Sequence, residues 1–476
     1  MIQLGMAGLA LQSRSPGAIP FPSIGRITPR TGASIAASPL SLGFETLDRK
    51  MFDPQRAYPH VAKLGVKWAR VQTGWARTER TKGEYNFGWL DEVVDSLLKM
   101  GVQPWFNLGY GNTLYTPGAP HETAVGYVPF NSPEARAAWI AYTQRIAEHF
   151  RGRVRHYEIW NEPNGAGFWR PNAPDPAGYA QLVKITAPEV RKRVPNAVII
   201  GCALAGLGDQ FDYLKAALDA GLADFIDKLS YHPYQAIPEA NYDSQMQVLR
   251  ALVSSYKNGI GLWQGENGAA SVKGGTGNLD LDGAEAAQAK WIVRRVVSDL
   301  KAGVELTSVF HTVDLVNYIW SDGPSGTTQH MGLLREDYTP KPAYYAYQTL
   351  CALLDSESKP ADLLVMFRKP VPPGRKARTG GGDVLGVCSA PFVRKGAPLV
   401  AFWQPADLRL PYVPAEVSVH LWTGRLAQLK NPVLIDPMTG SVHKPERSGQ
   451  VGGYWRLSSV PLLDYPLFIA DASLAV

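Results

Sequence analysis

The chain has 476 residues, 45% hydrophobic and 19% charged, which is the composition of a folded globular protein too long for one ordinary core. Its formal charge of +6 is scattered, with only short runs at Arg151/Arg153/Arg155, at Arg191-Lys192-Arg193 and in the loop Arg368 to Arg378, so composition argues against nucleic acid as a partner. Three distant cysteines, Cys202, Cys351 and Cys388, form no disulfide framework or CxxC zinc site, and no apolar run has the length of a membrane span.

Residues 1–39 are rich in Ser, Pro, Gly and Ala. The opening Met1 to Gln12 lacks a basic start, so it reads as a strand rather than the stub of a trimmed export signal; the compartment, exported or cytoplasmic, stays open. Ile2-Leu4 and Ile24-Ile27 need a partner and are expected to add a strand or strap to a β-rich module.

From residue 40 to 354, strand-like runs alternate with helical patterns. The runs are Leu42-Glu45, Lys67-Gln72, Gln103-Leu108, His156-Asn161, Val198-Cys202, Lys228-His232, Leu262-Glu266 and Ser308-Thr312. Such a βα array predicts an α/β fold closing as a (β/α)8 TIM barrel. Between the runs, Leu90, Val93, Val94, Leu97 and Leu98 recur at helical spacing before Gly101. Ser132-Pro133-Glu134 supplies a cap, a first-turn proline and a first-turn acid ahead of Trp139, Ile146 and Phe150. The last barrel helix is expected over Tyr344 to Leu354. Beyond residue 355, short β-prone runs (Leu363-Arg368, Val384-Cys388, Leu399-Trp403, Val417-Leu421, Val433-Ile435, Leu467-Ala470) separated by Pro and Gly turns predict a small β-sandwich, with Gly380-Gly381-Gly382 as a hairpin loop.

Two carboxylates stand out. Tyr157-Glu158-Ile159-Trp160-Asn161-Glu162-Pro163-Asn164 and Leu262-Trp263-Gln264-Gly265-Glu266-Asn267-Gly268 each end a strand-like run and are followed by a residue that stops regular structure. Paired acids at barrel strand ends are what glycoside hydrolysis needs: one protonates the leaving oxygen while the other stays ionised to meet the developing oxocarbenium ion.

Arg70 at the second strand end can hold a carboxylate ionised. Asn161 can bond a sugar hydroxyl, and His232 and Tyr234, two apart on one face, can orient Glu266 and the sugar. Further candidates for lining the mouth are Trp105, Asn107, Tyr110, Asn112, Trp169, His311, Asp314 and Trp320. His121-Glu122 begins like a zinc-protease motif, but residue 125 is Val rather than His. No metal or cofactor is expected; the expected partner is a carbohydrate.

These residues resemble a clan A glycoside hydrolase, and family 39 in particular, which includes β-xylosidases, α-L-iduronidases and exopolysaccharide hydrolases. The resemblance runs from Gly43 to about Leu354. It rests on Trp68-Ala69-Arg70, Gly83-Glu84-Tyr85-Asn86-Phe87, Glu158 to Asn164 with Phe168-Trp169, His232-Pro233-Tyr234, Glu266-Asn267 and Gly332-Leu333-Leu334 to Lys341-Pro342. It implies Glu162 as general acid/base and Glu266 as nucleophile of a retaining double displacement, supported by Arg70, Asn161, His232 and Tyr234. One departure is Phe310-His311, where clan A enzymes often end the eighth strand with Trp. Two other readings compete. A carbohydrate-binding protein on an inactive barrel would lack turnover, and a metal-dependent hydrolase should show a His-x-His on an early strand, which this chain lacks.

Overall fold

The computed structural model describes residues 19–130, 132–272, 285–369 and 384–475. Eight parallel strands close a barrel: β1 (Leu40–Gly43), β2 (Trp68–Gln72), β3 (Gln103–Leu108), β4 (His156–Ile159), β5 (Val198–Ala205), β6 (Lys228–His232), β7 (Gly261–Asn267) and β8 (Leu306–Val309), with β1 pairing β8. All eight overlap the predicted runs, the first and last by two residues only. They are apolar and nearly continuously buried, as strands enclosed between a barrel interior and a helix layer must be.

The helices start where the sequence signals place them. Ser132 Oγ accepts from Ala135 N at 3.0 Å to cap Pro133–His149, and the helix Gly88–Lys99 buries Leu90, Val93, Val94 and Leu97 before the chain turns into β3. The last barrel helix is Pro342–Leu353.

The strand ends differ from expectation in a way that matters for chemistry. β1 stops at Gly43, β4 at Ile159 and β8 at Val309, so Glu45, Asn161, Glu162 and His311 lie in the loops just above the barrel. After β4 the chain cannot stay extended, because Trp160 (φ 68°) and Glu162 (φ 45°) adopt left-handed conformations that non-glycine residues rarely take. β5 instead runs on to Ala205 through an irregularity between Gly201 and Leu204.

Beyond the barrel, two antiparallel sheets form the sandwich. One holds seven strands, with Ser23–Arg26 at its edge beside Ser441–His443; the other orders Leu364–Arg368, Ala415–Trp422, Tyr454–Leu462 and Ser448–Val451. Residues 23–26 thus join the sheet made by the carboxyl-terminal part, near where Ile24-Ile27 was expected to pair. Partly buried polar contacts tie sandwich to barrel: Trp403 Nε1 donates to Glu239 at 2.6 Å, Arg294 Nη1 donates to Ala406 O at 2.6 Å, and Lys290 pairs with Asp464 at 2.7 Å. Met1 to Gln12, Ile2-Leu4 and Gly380-Gly381-Gly382 lie outside the described residues. Among those described, no helix is long and apolar enough to cross a membrane.

Candidate active site

At the carboxyl ends of the strands, one guanidinium organises the floor. Arg70, fully buried near the end of β2, has five N–H donors, and each has an acceptor. Nε and Nη2 donate to Glu158 Oε2 at 2.9 and 2.5 Å, Nη2 also to Asn161 Oδ1 at 2.7 Å, and Nη1 to Glu266 Oε2 at 2.6 Å and Glu45 Oε1 at 3.2 Å. Asn107 on β3 adds a bond from Nδ2 to Glu158 Oε2 at 2.9 Å. Glu158 and Glu45 are sealed below the surface, whereas the side chains of Glu266 and Glu162 keep 13% and 17% exposure; only the latter two can reach a ligand.

Tyr234 OH donates to Glu266 Oε1 at 2.8 Å, so each oxygen of Glu266 receives one hydrogen bond and its orientation is fixed. Glu162 leans the other way, its Oε1 bonded to His232 Nδ1 at 2.8 Å. The backbone at Glu162 is held by its N–H donating to Ala203 O at 3.0 Å, and that at Trp160 by bonds from its N–H to Leu108 O and from Nε1 to Phe168 O. These contacts fix the left-handed residues and aim the carboxyl. One oxygen of Glu162, one of Glu266 and a ring nitrogen of His232 all lie within 4.8 Å of one another. Glycine at 265 is required here: a Cβ would stand 2.2 Å from Ser230 Oγ and 3.3 Å from Glu158 Oε1.

Burial sets the protonation pattern. Desolvation raises the Glu162 carboxyl to about 7, with the Glu158 charge adding to the rise and Arg70 opposing it. Desolvation lowers His232 to about 4, so its imidazole is neutral near pH 7. When His232 donates from Nδ1 to Glu162 Oε1, a proton on Glu162 is left to Oε2, the oxygen free for a ligand.

Above the carboxylates opens a cavity of about 430 Å³ lined by Asn161, Glu162, Tyr234, Glu266, Phe168, Phe310, Tyr318, Trp320 and Met331, with Arg49, Gln72 and Tyr110 on one flank. Trp320, 36% exposed on the short hairpin Ile319–Trp320/Gly323–Pro324, stands at the rim against Phe168 and Tyr318. A polar floor under an aromatic rim is what a sugar ring fits, hydroxyls down and face against the rings.

The structure thus brings together Arg70, Asn161, Glu162, His232, Tyr234, Glu266 and Trp320. Six of the residues expected to line the mouth do not line this cavity: Asn107 lies in the floor on Glu158, Trp105 is buried in the barrel against Trp263, Asp314 pairs with Lys341 at 2.7 Å, and His311, Trp169 and Asn112 turn elsewhere. His311 is fully buried, its Nε2 donating to the main-chain oxygen of Glu45 at 3.0 Å and its ring against Phe52, because the chain turns sharply after Val309; Phe310 takes the pocket side instead. Trp169 packs against Trp160 and Tyr179 with 2% exposure, in the core behind the loop. Asn112 spends its amide on Glu79 O and Leu114 N and lines a neighbouring cavity of about 340 Å³.

Conversely, Glu45, Arg49, Gln72, Glu158 and Tyr318 belong to the site or its floor without having been singled out. Glu158 carried a readable signal, an acid inside a strand otherwise made of buried residues. Arg49, stacked near the Tyr110 and Tyr318 rings and donating to Gln72 Oε1 at 2.7 Å, comes from a loop whose path the sequence does not reveal.

Glu162, His232 and Glu266 could each offer one ligand atom to a cation. The guanidinium 2.6 Å from Glu266 sets a competing positive charge on that carboxylate, and His232 Nδ1 is already engaged by Glu162.

Residues 63–257 match the family model described as "Glycosyl hydrolases family 39". A β-xylosidase of Geobacillus stearothermophilus is 28% identical over 159 residues, covering 31% of this chain and 31% of that protein. Beta-glucosidase 47 of Arabidopsis thaliana is 28% identical over 106 residues, 21% of this chain and 19% of that one. The matched stretches therefore span about a third or less of these curated relatives. Among solved structures, a family 39 glycoside hydrolase from Bacteroides cellulosilyticus WH2 superposes with a TM-score of 0.65 at 20% identity, covering 91% of this chain and 80% of that one. A monomeric β-xylosidase from Caulobacter crescentus CB15 gives 0.59 at 17% identity, with 94% and 97% covered. Over residues 63–257 the chain is thus similar in sequence to glycoside hydrolase family 39, and in fold it is a (β/α)8 barrel with an added module of antiparallel sheets.

Proposed function

We propose that this protein is a retaining O-glycoside hydrolase in which Glu266 is the nucleophile and Glu162 the general acid/base. The observation that carries the reading is the spacing and environment of the two acids. An oxygen of one lies within 4.8 Å of an oxygen of the other, a close approach that suits the roughly 5 to 5.5 Å carboxyl separation of a retaining pair better than the about 6.5 to 9.5 Å of an inverting pair. Their surroundings also differ as the two roles demand. Glu266 is gripped by Arg70 and Tyr234, while Glu162 is raised to about 7 and so holds a proton it can give up near neutral pH.

In the first step Glu162 Oε2–H protonates the leaving oxygen, Glu266 attacks the anomeric carbon, and the glycosidic C–O bond breaks to leave a glycosyl ester. In the second step ionised Glu162 takes a proton from water, the water oxygen attacks the same carbon, and Glu266 departs as carboxylate. Asn161, its Oδ1 occupied by Arg70, has its Nδ2 left for a sugar hydroxyl beside the reacting carbon. Phe310 and Trp320 form the apolar wall. Since the relatives named β-xylosidases share the barrel, β-xylosides are the first substrates to try, beside endo-type cleavage of polysaccharide.

A panel of nitrophenyl glycosides run in parallel with polysaccharide digests tests the reading. Turnover by the wild-type protein and none by Glu266→Ala is expected. Tight sugar binding with no turnover of any substrate would instead support a carbohydrate-binding role on an inactive barrel.

A further inference from the structure

Glu45, two residues past β1, is the carboxyl of the Arg70 cluster with the fewest partners. Arg70 holds Glu158 by two bonds and Glu266 by one, at 2.5 to 2.9 Å, but reaches Glu45 only at 3.2 Å. Glu158 Oε2 gains a third bond from Asn107 and Glu266 Oε1 one from Tyr234, whereas Glu45 has the single long bond from Arg70; Glu45 Oε2, like Glu158 Oε1, has no hydrogen-bond partner. That oxygen lies against the bare Cα of Gly43, where a Cβ would stand 2.4 Å away, and His311 Nε2 is 3.8 Å off.

The groups facing Glu45 are therefore Arg70 from β2, Glu266 from β7, Tyr234 beyond β6 and His311 beyond β8, with Glu158 on the far side of Arg70; Arg49 is engaged by Asp48 and Gln72. His311 is neutral near pH 7, because burial lowers it to about 4. One guanidinium thus meets three carboxyls away from water, an excess of negative charge that a single proton relieves. The carboxyl that can take it at least cost is Glu45, which has a free oxygen and only one bond to the guanidinium, the longest of the set, whereas Glu158 would give up three bonds to its other oxygen.

We propose that Glu45 is a positioning residue that carries a proton in the working enzyme, leaving the charge of Arg70 to Glu158 and Glu266 and thereby allowing Glu266 to depart from the glycosyl ester. The proposal rests on the retaining reading above. Burial, reinforced by the Glu266 charge and opposed by Arg70, raises Glu45 to about 8, so the proton is lost on the alkaline side.

The two chemical steps respond differently to that loss. Attack discharges Glu266 and is not hindered by a new negative neighbour. Departure regenerates the Glu266 carboxylate beside ionised Glu45, so breakdown of the ester slows. Glu162 cannot cause such a fall, since as the base for this second step it only improves as pH rises.

The test uses a dinitrophenyl glycoside, whose leaving group needs no proton and whose turnover is limited by ester breakdown. For the wild-type enzyme kcat should fall by roughly threefold or more as pH rises past about 8 to 9.5. Glu45→Gln, neutral at every pH, should hold its plateau. An unchanged alkaline limb in Glu45→Gln overturns the proposal, as does a uniform drop in kcat at every pH with that limb kept, which is what a merely structural role would give. Should the variant fail to fold, the wild-type enzyme decides alone: glycosyl-enzyme formed in the burst and then freed of substrate, followed by acid quench and intact mass, should decay more slowly above pH 8 than below it, and an unchanged or faster decay overturns the proposal. Complete absence of a glycosyl-enzyme would remove the retaining reading together with it, whereas a clear burst with an unmoved limb would remove only the role of Glu45.

Discussion

Two buried arginines of this barrel sit in opposite electrostatic situations. Behind the barrel wall, Arg295 and Asp299 on the helix Glu285–Lys301 form a one-to-one pair at 2.9 Å, both fully buried. Tyr242 OH and Thr307 Oγ1 donate to the same aspartate at 2.6 and 2.7 Å, and the Tyr242 ring lies 3.8 Å from the Arg295 guanidinium carbon. At the mouth, Arg70 faces three carboxyls with a fourth, Glu162, alongside. The first cluster is charge-balanced and joins a helix to the strand and helix beside it. The second is overloaded with acid, so some of its members must hold protons, and a proton held under that pressure can be moved. Balance marks scaffolding here and imbalance marks chemistry.

The largest expected effect that separates the clusters comes from Glu266→Ala. Activity on every glycoside should fall by about 10⁴-fold or more, with a melting temperature equal to or above that of the wild type because one of the crowded charges is gone. Glu162→Ala should cost about 10²- to 10⁴-fold on substrates with poor leaving groups and little in the glycosylation step of a dinitrophenyl glycoside, where a burst should remain. Equal losses on both substrate types would mean that its role is misassigned.

Asp299→Ala reverses the pattern. It leaves Arg295 uncompensated and should destabilise the fold by about 3–5 kcal/mol in urea unfolding, while kcat below the melting range stays within twofold of wild type. A stable but inactive Asp299→Ala protein would erase the distinction drawn between the two clusters. Smaller again, Trp320→Ala at the rim should raise KM severalfold with little change in kcat and a stability change within about 0.5 kcal/mol.

The last effect is read as a pH dependence of stability rather than as a single loss. Glu162 and Glu45 have folded-state values raised to about 7 and about 8 from an ordinary 4.5, so the folded protein binds more protons than the unfolded chain between those limits. Their contribution is complete below pH 4.5 and is lost as pH rises through 7 and 8. Glu162→Gln and Glu45→Gln should therefore flatten the decline of melting temperature between pH 5 and 9; a steeper decline in either variant would reverse the sign.

The barrel was legible because each of its strands is a short apolar run bounded by turn residues, a pattern independent of long-range packing. Glu162 and Glu266 were legible for a related reason: each acid directly follows such a run and directly precedes a residue that ends it. Glu45 was not, although it closes the predicted run Leu42-Glu45: the residue after it is Thr46, which carries no stop signal, and the strand itself ends at Gly43. His311 was misplaced because adjacency to β8 says nothing about which way the chain turns after Val309. Trp169 and Asn112 were drawn into the mouth on residue type, but the loops that carry them fold back on Tyr179 and Glu79. Loop direction is decided by tertiary contacts, and no local pattern encodes it.

The most direct measurement is the configuration of the first sugar released, followed by proton NMR before mutarotation equalises the anomers. With Glu162 and Glu266 acting as a retaining pair, the initial product should carry the same anomeric configuration as the substrate. Initial formation of the opposite anomer would contradict the pair's assignment and the mechanism built on it.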